Sequence, residues 1–262
     1  MKRIISMATV RGISVKESID YAVKSGCGGI EIQTDYLPDA GAERDAVFAY
    51  AKECGLYVSL HGPSSDINIS SLNKGIRRES VRQIKEAIDI ARCYGLEKVT
   101  MHPGLLSSAR EDVEGKWQVM LESMAELAAY AKEANIHLGV ENMEKRKKEL
   151  VYTVDDLNRF APLAQENPYF GVTLDFCHFA TNDILAPELD RLLAPVKNVH
   201  ISQCTDGKPH FALYKEGILV PANVARMLDG IGYTGSVTME IKSVYDPQIY
   251  ADSRLVLEHA GF

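Results

Sequence analysis

The chain has no apolar stretch approaching the roughly 20 residues that a bilayer-spanning helix needs, which argues against a membrane span. It has no C-x-x-C pair among its five cysteines, Cys27, Cys54, Cys93, Cys177 and Cys204. Odd in number and widely spaced, these argue against a disulfide framework and fit a reducing cytoplasm. Positive charge is in deficit, with Lys+Arg 29 against Asp+Glu 36 and a formal charge of -7. A broad nucleic-acid surface, built from Lys and Arg, is thereby disfavoured, while a local basic groove is not excluded. The G-x-G-x-x-G fingerprint, the G-x-x-x-x-G-K-[ST] loop and the serine nucleophile elbow are all missing, so NAD, ATP and acyl transfer are not implied. No Pro/Gly/Ser-rich linker or composition shift divides the chain, which reads as one domain over residues 1–262. Lys2 and Arg3 precede an apolar run at 4–10, but Ser6 and Thr9 interrupt it and no small-residue cleavage pattern follows. It reads as a first strand, not a secretion signal.

What the chain has is regular alternation. Short runs rich in Val and Ile, at 4–7, 29–33, 57–60, 98–101, 137–140, 170–174, 198–201 and 236–241, have the character of buried strands. Segments of helical spacing lie between them, at 14–25, 42–54, 74–94, 113–134, 154–160, 187–193, 221–229 and 247–259. Ser14 with Glu17 and Thr153 with Asp156 have capping-box spacing. Gly26, Gly55 and Gly95 stand where a helix closes with a left-handed residue. Eight strand–helix units over 262 residues match a closed (β/α)8 TIM barrel, whose typical size is roughly 250 residues. A doubly wound open sheet is the rival α/β architecture, since counting strands does not show closure.

In such a barrel the active site is built at the carboxyl ends of the strands. Those ends carry His61, His102, Glu141, Asp175 with His178 just beyond, His200 and Glu240, and His210 follows in the loop after strand seven. Singly, each has an ordinary explanation, a hydrogen-bonded histidine or a carboxylate capping the next helix. Jointly, five of the seven histidines fall at one face, with His137 and His259 elsewhere. Converging carboxylates and imidazoles in a partly dry mouth call for a divalent cation. Nitrogen and oxygen ligands suit Zn, Mn, Co, Fe or Mg without choosing among them. Cys177 and Cys204 lie near Asp175 and His200 and read as buried neutral thiols.

The runs GIEI (29–32), LHGPSSDINISS (60–71), MHPG (101–104), VEN (140–142), LDFCH (174–178), VHIS (199–202), HFALYKEGIL (210–219) and MEI (239–241) resemble the xylose-isomerase-like barrel superfamily. It includes sugar isomerases and epimerases and the apurinic/apyrimidinic endonucleases. The resemblance spans nearly the whole chain. Resemblance to ketose epimerases implies one metal on Glu141, Asp175, His200 and Glu240, with Glu141 and Glu240 as the proton-transfer pair and His178 holding a substrate oxygen. Resemblance to the endonucleases implies up to three metals: His61, His102 and Glu141; Glu141, Asp175, His200 and Glu240; and a third on His178 and His210.

The endonuclease pattern is not kept throughout. Lys208 stands where an Asp belongs two residues before His210, Ser64 where a Tyr follows the third-strand His, and TDYLPD (34–39) where an Asn-Pro-Arg segment belongs. The ranking that follows is a metal-dependent isomerase or epimerase of a small polyhydroxy or phosphorylated substrate, then a phosphodiesterase, then a metal-holding protein without turnover. Lys145, Arg146, Lys147 and Lys148, in a row after Glu141, read either as a solvated loop or as a lid for an anionic substrate. Tyr36, Phe179 and Tyr214 are candidates to stack on a sugar face, and Trp117 reads as structural.

Overall fold

A computed structural model describes residues 1–7, 12–144, 146–242 and 246–262; the end of the apolar run at 4–10 and Lys145 lie outside the described residues. Eight parallel strands close into a barrel: β1 (Lys2–Ser6), β2 (Gly29–Gln33), β3 (Tyr57–His61), β4 (Lys98–Met101), β5 (His137–Glu141), β6 (Phe170–Asp175), β7 (Val196–Ile201) and β10 (Ser236–Met239). β1 pairs with both β2 and β10, so the sheet has no edge and the open-sheet alternative falls. Two further strands, β8 (Gln203–Thr205) and β9 (Lys208–Phe211), form a small antiparallel hairpin after β7. Helices α1 (Val15–Lys24), α2 (Ala42–Glu53), α3 (Lys74–Cys93), α4 (Val113–Ala134), α5 (Val154–Asn158), α6 (Ala161–Ala164), α7 (Phe176–Thr181), α8 (Pro221–Gly230) and α9 (Pro247–His259) follow the strands.

The local signals act as expected at several ends. Ser14 and Thr153 close capping boxes with Glu17 and Asp156, and Gly26, Gly55 and Gly95 take φ values of 67, 70 and 66°. Two boundaries differ. The helix expected at 187–193 is only a 3-10 turn, Leu189–Arg191, too short for a helical hydrogen-bond ladder to propagate. The last strand stops at Met239, leaving Glu240 just past the ladder.

Alternation along each strand sorts the side chains. Outward positions such as Ile30, Ile32, Leu60, Val99, Leu138, Val140, Leu174 and Val199 are buried against the helices. Inward positions are polar instead: Glu31, Ser59, Thr100, Thr173, Asn198 and Thr238, all fully or almost fully buried. Their contacts run between strands that are not neighbours, such as Asn198 Nδ2 to Thr100 Oγ1 at 3.0 Å and to Glu31 Oε2 at 2.8 Å, which is possible only across the interior. Gly139 is small for a steric reason: a Cβ there would lie 2.4 Å from Thr173 Oγ1. Each strand that carries a polar residue inside carries, two residues later, a side chain at the barrel mouth.

Candidate metal centre

Period two therefore delivers His61 above Ser59, His102 above Thr100, Glu141 above Gly139, Asp175 above Thr173, His200 above Asn198 and Glu240 above Thr238. Glu240, His200, Asp175 and Glu141 come from β10, β7, β6 and β5, four consecutive staves in barrel order. The glutamates thus take the two ends of an arc, with Asp175 and His200 between them. One ligand atom from each of the four lies within 4.8 Å of the others. His200 Nδ1 is 3.0 Å from Glu141 Oε1 and 2.9 Å from Glu240 Oε2.

Among the described residues three buried oxygens of this quartet, Glu141 Oε2, Asp175 Oδ2 and Glu240 Oε2, complete no well-aligned hydrogen bond, although Glu240 Oε2 lies close to His200 Nδ1. Unpaired buried carboxylate oxygens are costly, and a divalent cation among them answers that cost. The donor set fits Zn, Mn, Co, Fe or Mg. Asp175 satisfies both expectations for a strand-end carboxylate at once. Its Oδ1 caps α7 by accepting the His178 backbone N–H at 2.8 Å, while Oδ2 lies 3.7 Å from His178 Nε2.

Two more groups adjoin. His61 and His102 approach Glu141 Oε2 through Nε2 at 3.5 and 3.4 Å, and the three form a second potential ligand group. The third consists of His178, His210 and Glu144, whose Oε1 is 3.9 Å from Nε2 of each histidine. Backbone carbonyls set the rings: Nδ1 of His61, His178 and His210 lies 2.8, 2.8 and 3.1 Å from the carbonyl oxygens of Gly62, Asn142 and Glu240. The Nδ1–H donates there and Nε2 is left to face the carboxylates. His210 holds a φ of 70°, unusual for a residue with a Cβ.

Sequence reasoning missed Glu144. Lys208, where the endonuclease pattern places an Asp, is exposed on β9, and Asp206 with Gly207 forms the two-residue hairpin turn, both at positive φ. The acid that reaches the third group comes instead from the loop after β5, where Arg146 pairs with its other oxygen. The one available signal was a lone Glu at the head of a basic run. Glu31 was also missed: its Oε1 is 3.0 Å from His200 Nε2. A charged residue inside the apolar GIEI strand was the readable clue.

Electrostatics follow from burial opposed by neighbours. Burial alone would raise the Glu141 carboxyl, but His200, His102 and His61 hold it well below the usual carboxylate range. Burial likewise would raise Glu240, but His210 and His200 hold it low. Burial raises Asp175. Burial would lower His61, yet Glu141 and Glu31 push it up to about 9; burial would lower His200 too, but Glu31 and Glu141 overcome it and hold that ring well above the usual imidazole range. Without a cation the cluster neutralises itself with protons, so cation uptake must release them and weakens as pH falls.

Other expected contributors lie apart. Lys147 and Lys148 are exposed; their loop is tied to the one after β4 by Leu106 N–H donating to Lys148 O at 2.8 Å. Tyr36 is half-exposed and lines a cavity of about 750 Å³ with Val15, Leu37, Val47 and Tyr50 between α1 and α2. Phe179 is fully buried, so it packs in the core and does not stack on a ligand. Cys177 and Cys204 are buried free thiols, burial pushes both up, and neither joins a ligand group.

The model of the family described as xylose isomerase-like TIM barrel matches residues 19–259, and the chain belongs to that family. It is 27% identical over 184 residues to the uncharacterized protein MJ1188 of Methanocaldococcus jannaschii, covering 70% of this chain and 66% of that one, just under two thirds of the relative's length. It is also 27% identical over 171 residues to a probable endonuclease 4 of Citrifermentans bemidjiense, covering 63% of this chain and 59% of that one. Further relatives include sugar 3-epimerases as well as endonucleases. A crystal structure of a D-tagatose 3-epimerase-like protein superposes with a TM-score of 0.85 at 22% identity, covering 99% of this chain and 97% of that one, a likeness of fold. Among the described residues no helix is long and apolar enough to cross a membrane.

Proposed function

We propose that the chain is a divalent-metal-dependent isomerase or epimerase of a small sugar or sugar phosphate, one barrel domain acting in the cytoplasm. The observation that carries this reading is the arc itself: Glu141 and Glu240 stand at its two ends, each within 3.0 Å of the same His200 nitrogen and each with an unpartnered oxygen. Glu141, Asp175, His200 and Glu240 would hold the cation, which bound there would polarise the sugar carbonyl and its neighbouring hydroxyl and make the adjacent C–H acidic. Glu141 and Glu240, both held low, are ionised at neutral pH, the form that can accept a proton. One removes it from one face of the carbon and the other returns it from the opposite face. His178 orients a substrate oxygen through Nε2. Lys147 and Lys148 carry positive charge toward a phosphate.

The test is solvent-deuterium incorporation into a ketose carbon by the metal-loaded protein. Incorporation that disappears in Glu240→Gln supports the reading; none with any ketose or ketose phosphate overturns it.

Glu144 favours a second reading, a phosphodiesterase of the apurinic endonuclease type. With it, His178 and His210 have the acid that Lys208 withholds, and up to three cations find ligand groups. Nicking of a duplex with one abasic site supports this reading. Metal analysis sharpens it: two or three ions that fall in number on His102→Ala fit a cluster, one unaffected ion fits the epimerase. Tight ligand binding with neither activity leaves a non-catalytic metal-holding protein.

A further inference from the structure

Three histidines at the mouth present Nε2 and anchor Nδ1 on a backbone carbonyl. His200 is turned the other way. Its Nδ1 faces Glu141 and Glu240, and its Nε2 points down into the barrel, 3.0 Å from Glu31 Oε1 and 3.2 Å from Asn198 Nδ2. No backbone carbonyl anchors it, so side chains below must decide which nitrogen carries the proton.

Without a cation Nδ1 is hydrogen-bonded to Glu141 Oε1 at 3.0 Å; a cation on Nδ1 needs its lone pair and sends the proton to Nε2, and the hydrogen bonds below say what receives it. Asn198 Oδ1 accepts from Lys98 Nζ at 2.7 Å, and Lys98 also donates to Ser236 Oγ at 2.5 Å. That cation fixes the amide's orientation, since a flipped NH2 would face an ammonium group. Asn198 Nδ2 then has two hydrogens, and its two shortest contacts use both: Glu31 Oε2 at 2.8 Å and Thr100 Oγ1 at 3.0 Å. Nothing remains to donate to His200 Nε2. The other Glu31 oxygen, fully buried, has no hydrogen bond and stands beside that nitrogen. With a cation drawing on Nδ1, a small rotation of the ring would turn the 3.0 Å approach to Glu31 Oε1 into an Nε2–H to carboxylate bond, with the Nδ1 lone pair toward the quartet.

Resting on the metal reading above, we propose that Glu31, oriented through Asn198 by the buried Lys98, is a positioning residue that fixes His200 as its Nε2–H form and aims Nδ1 at the cation. A carboxylate in this place also strengthens the imidazole as a ligand, and removing such a partner typically costs about 10–100-fold in metal affinity. Lys98 explains itself within the same arrangement. A lysine almost fully buried in the barrel floor balances the Glu31 charge that is left when His200 binds a cation as a neutral ring.

The experiment is zinc titration of the metal-free protein against a competing chelator, with long-range nitrogen–proton spectra of the zinc-loaded, histidine-labelled protein. In wild type, His200 is expected to show a protonated Nε2 and a ligated Nδ1. Glu31→Gln keeps an acceptor and is expected to keep that form. Glu31→Leu removes it, and the tightest zinc ion should weaken about 10–100-fold with loss of the single tautomer. Because Glu31→Leu leaves Lys98 unbalanced, the double variant with Lys98→Met controls for misfolding. It should fold and still bind zinc weakly, whereas recovery of wild-type affinity overturns the positioning role. Unchanged affinity in Glu31→Leu, or zinc on Nε2 in wild type, overturns it too. A wild-type protein that takes up no zinc, manganese or cobalt overturns the metal reading itself.

Discussion

The two faces of the eight barrel strands are buried almost equally, and they do opposite things. Outside, Leu138, Val140, Leu174 and Val199 are 0% exposed and meet helices. Inside, Glu31, Glu141, Asp175 and His200 are also 0% exposed and meet one another. The outer layer gains free energy from leaving water and holds the fold together. The inner layer loses hydration it does not fully recover, and the unpartnered oxygens on Glu31, Glu141, Asp175 and Glu240 record the shortfall. Burial alone therefore does not distinguish scaffold from site; polarity at equal burial does.

Substitutions should separate the faces. The largest effect belongs to Glu240→Gln: removal of a proton-transfer carboxylate should lower kcat for solvent-deuterium exchange by about 10²–10⁴-fold, the usual contribution of a general acid or base. The metal-free protein should lose some stability near neutral pH, read as melting temperature, because His210 and His200 hold the Glu240 carboxyl low and that pairing is lost; a fall as large as that of a core cavity would erase the distinction between faces. Leu138→Ala, on the outer face of β5, should do the reverse, costing about 2–5 kcal/mol in denaturant unfolding while zinc affinity per folded molecule stays at the wild-type value.

Lys98, inside at the floor, gives a pH signature. Burial lowers its pKa to about 8 from 10.5, so between these values the unfolded chain holds a proton that the folded chain has shed. Stability should rise with pH across that window, by roughly 3 kcal/mol in all, and Lys98→Met should flatten the slope measured by urea unfolding. Glu144→Ala should remove one bound cation, or weaken the weakest, in metal analysis, leaving stability within about 0.5 kcal/mol because its loop is at the surface. The smallest effect is reserved for Lys147 and Lys148: charge reversal should raise KM several-fold for a phosphorylated substrate and little for its neutral analogue. Equal change for both would remove the loop from substrate binding.

The quartet was legible because it rides on regular elements. Glu141, Asp175 and His200 are fixed by strand period and by the rule that strand ends converge at one mouth, and the sequence motifs there are intact. Glu144 was not legible because it leaves an irregular loop, where no periodicity says which way a side chain turns. Lys208 misled for a related reason. Its place in the pattern looked vacant, and only the hairpin turn at Asp206 and Gly207 shows why that segment supplies no acid. The expected helix at 187–193 failed because Leu189 and Leu192 reach the core from a single 3-10 turn and its exit, without a helical ladder.

By itself the sequence determined the alternation of strands and helices, the caps and left-handed glycines that punctuate them, and the residue types brought to the strand ends. All of these are local: they depend on spacing along one chain segment. Tertiary structure alone decided closure, the order of the staves, the approach of Glu144 to His178 and His210, and the inverted ring of His200 above Glu31, Asn198 and Lys98. Those outcomes depend on distances between residues as far apart in sequence as Glu31 and Asn198. Side-chain direction inside a closed barrel is set by what stands opposite, which no neighbour in sequence records.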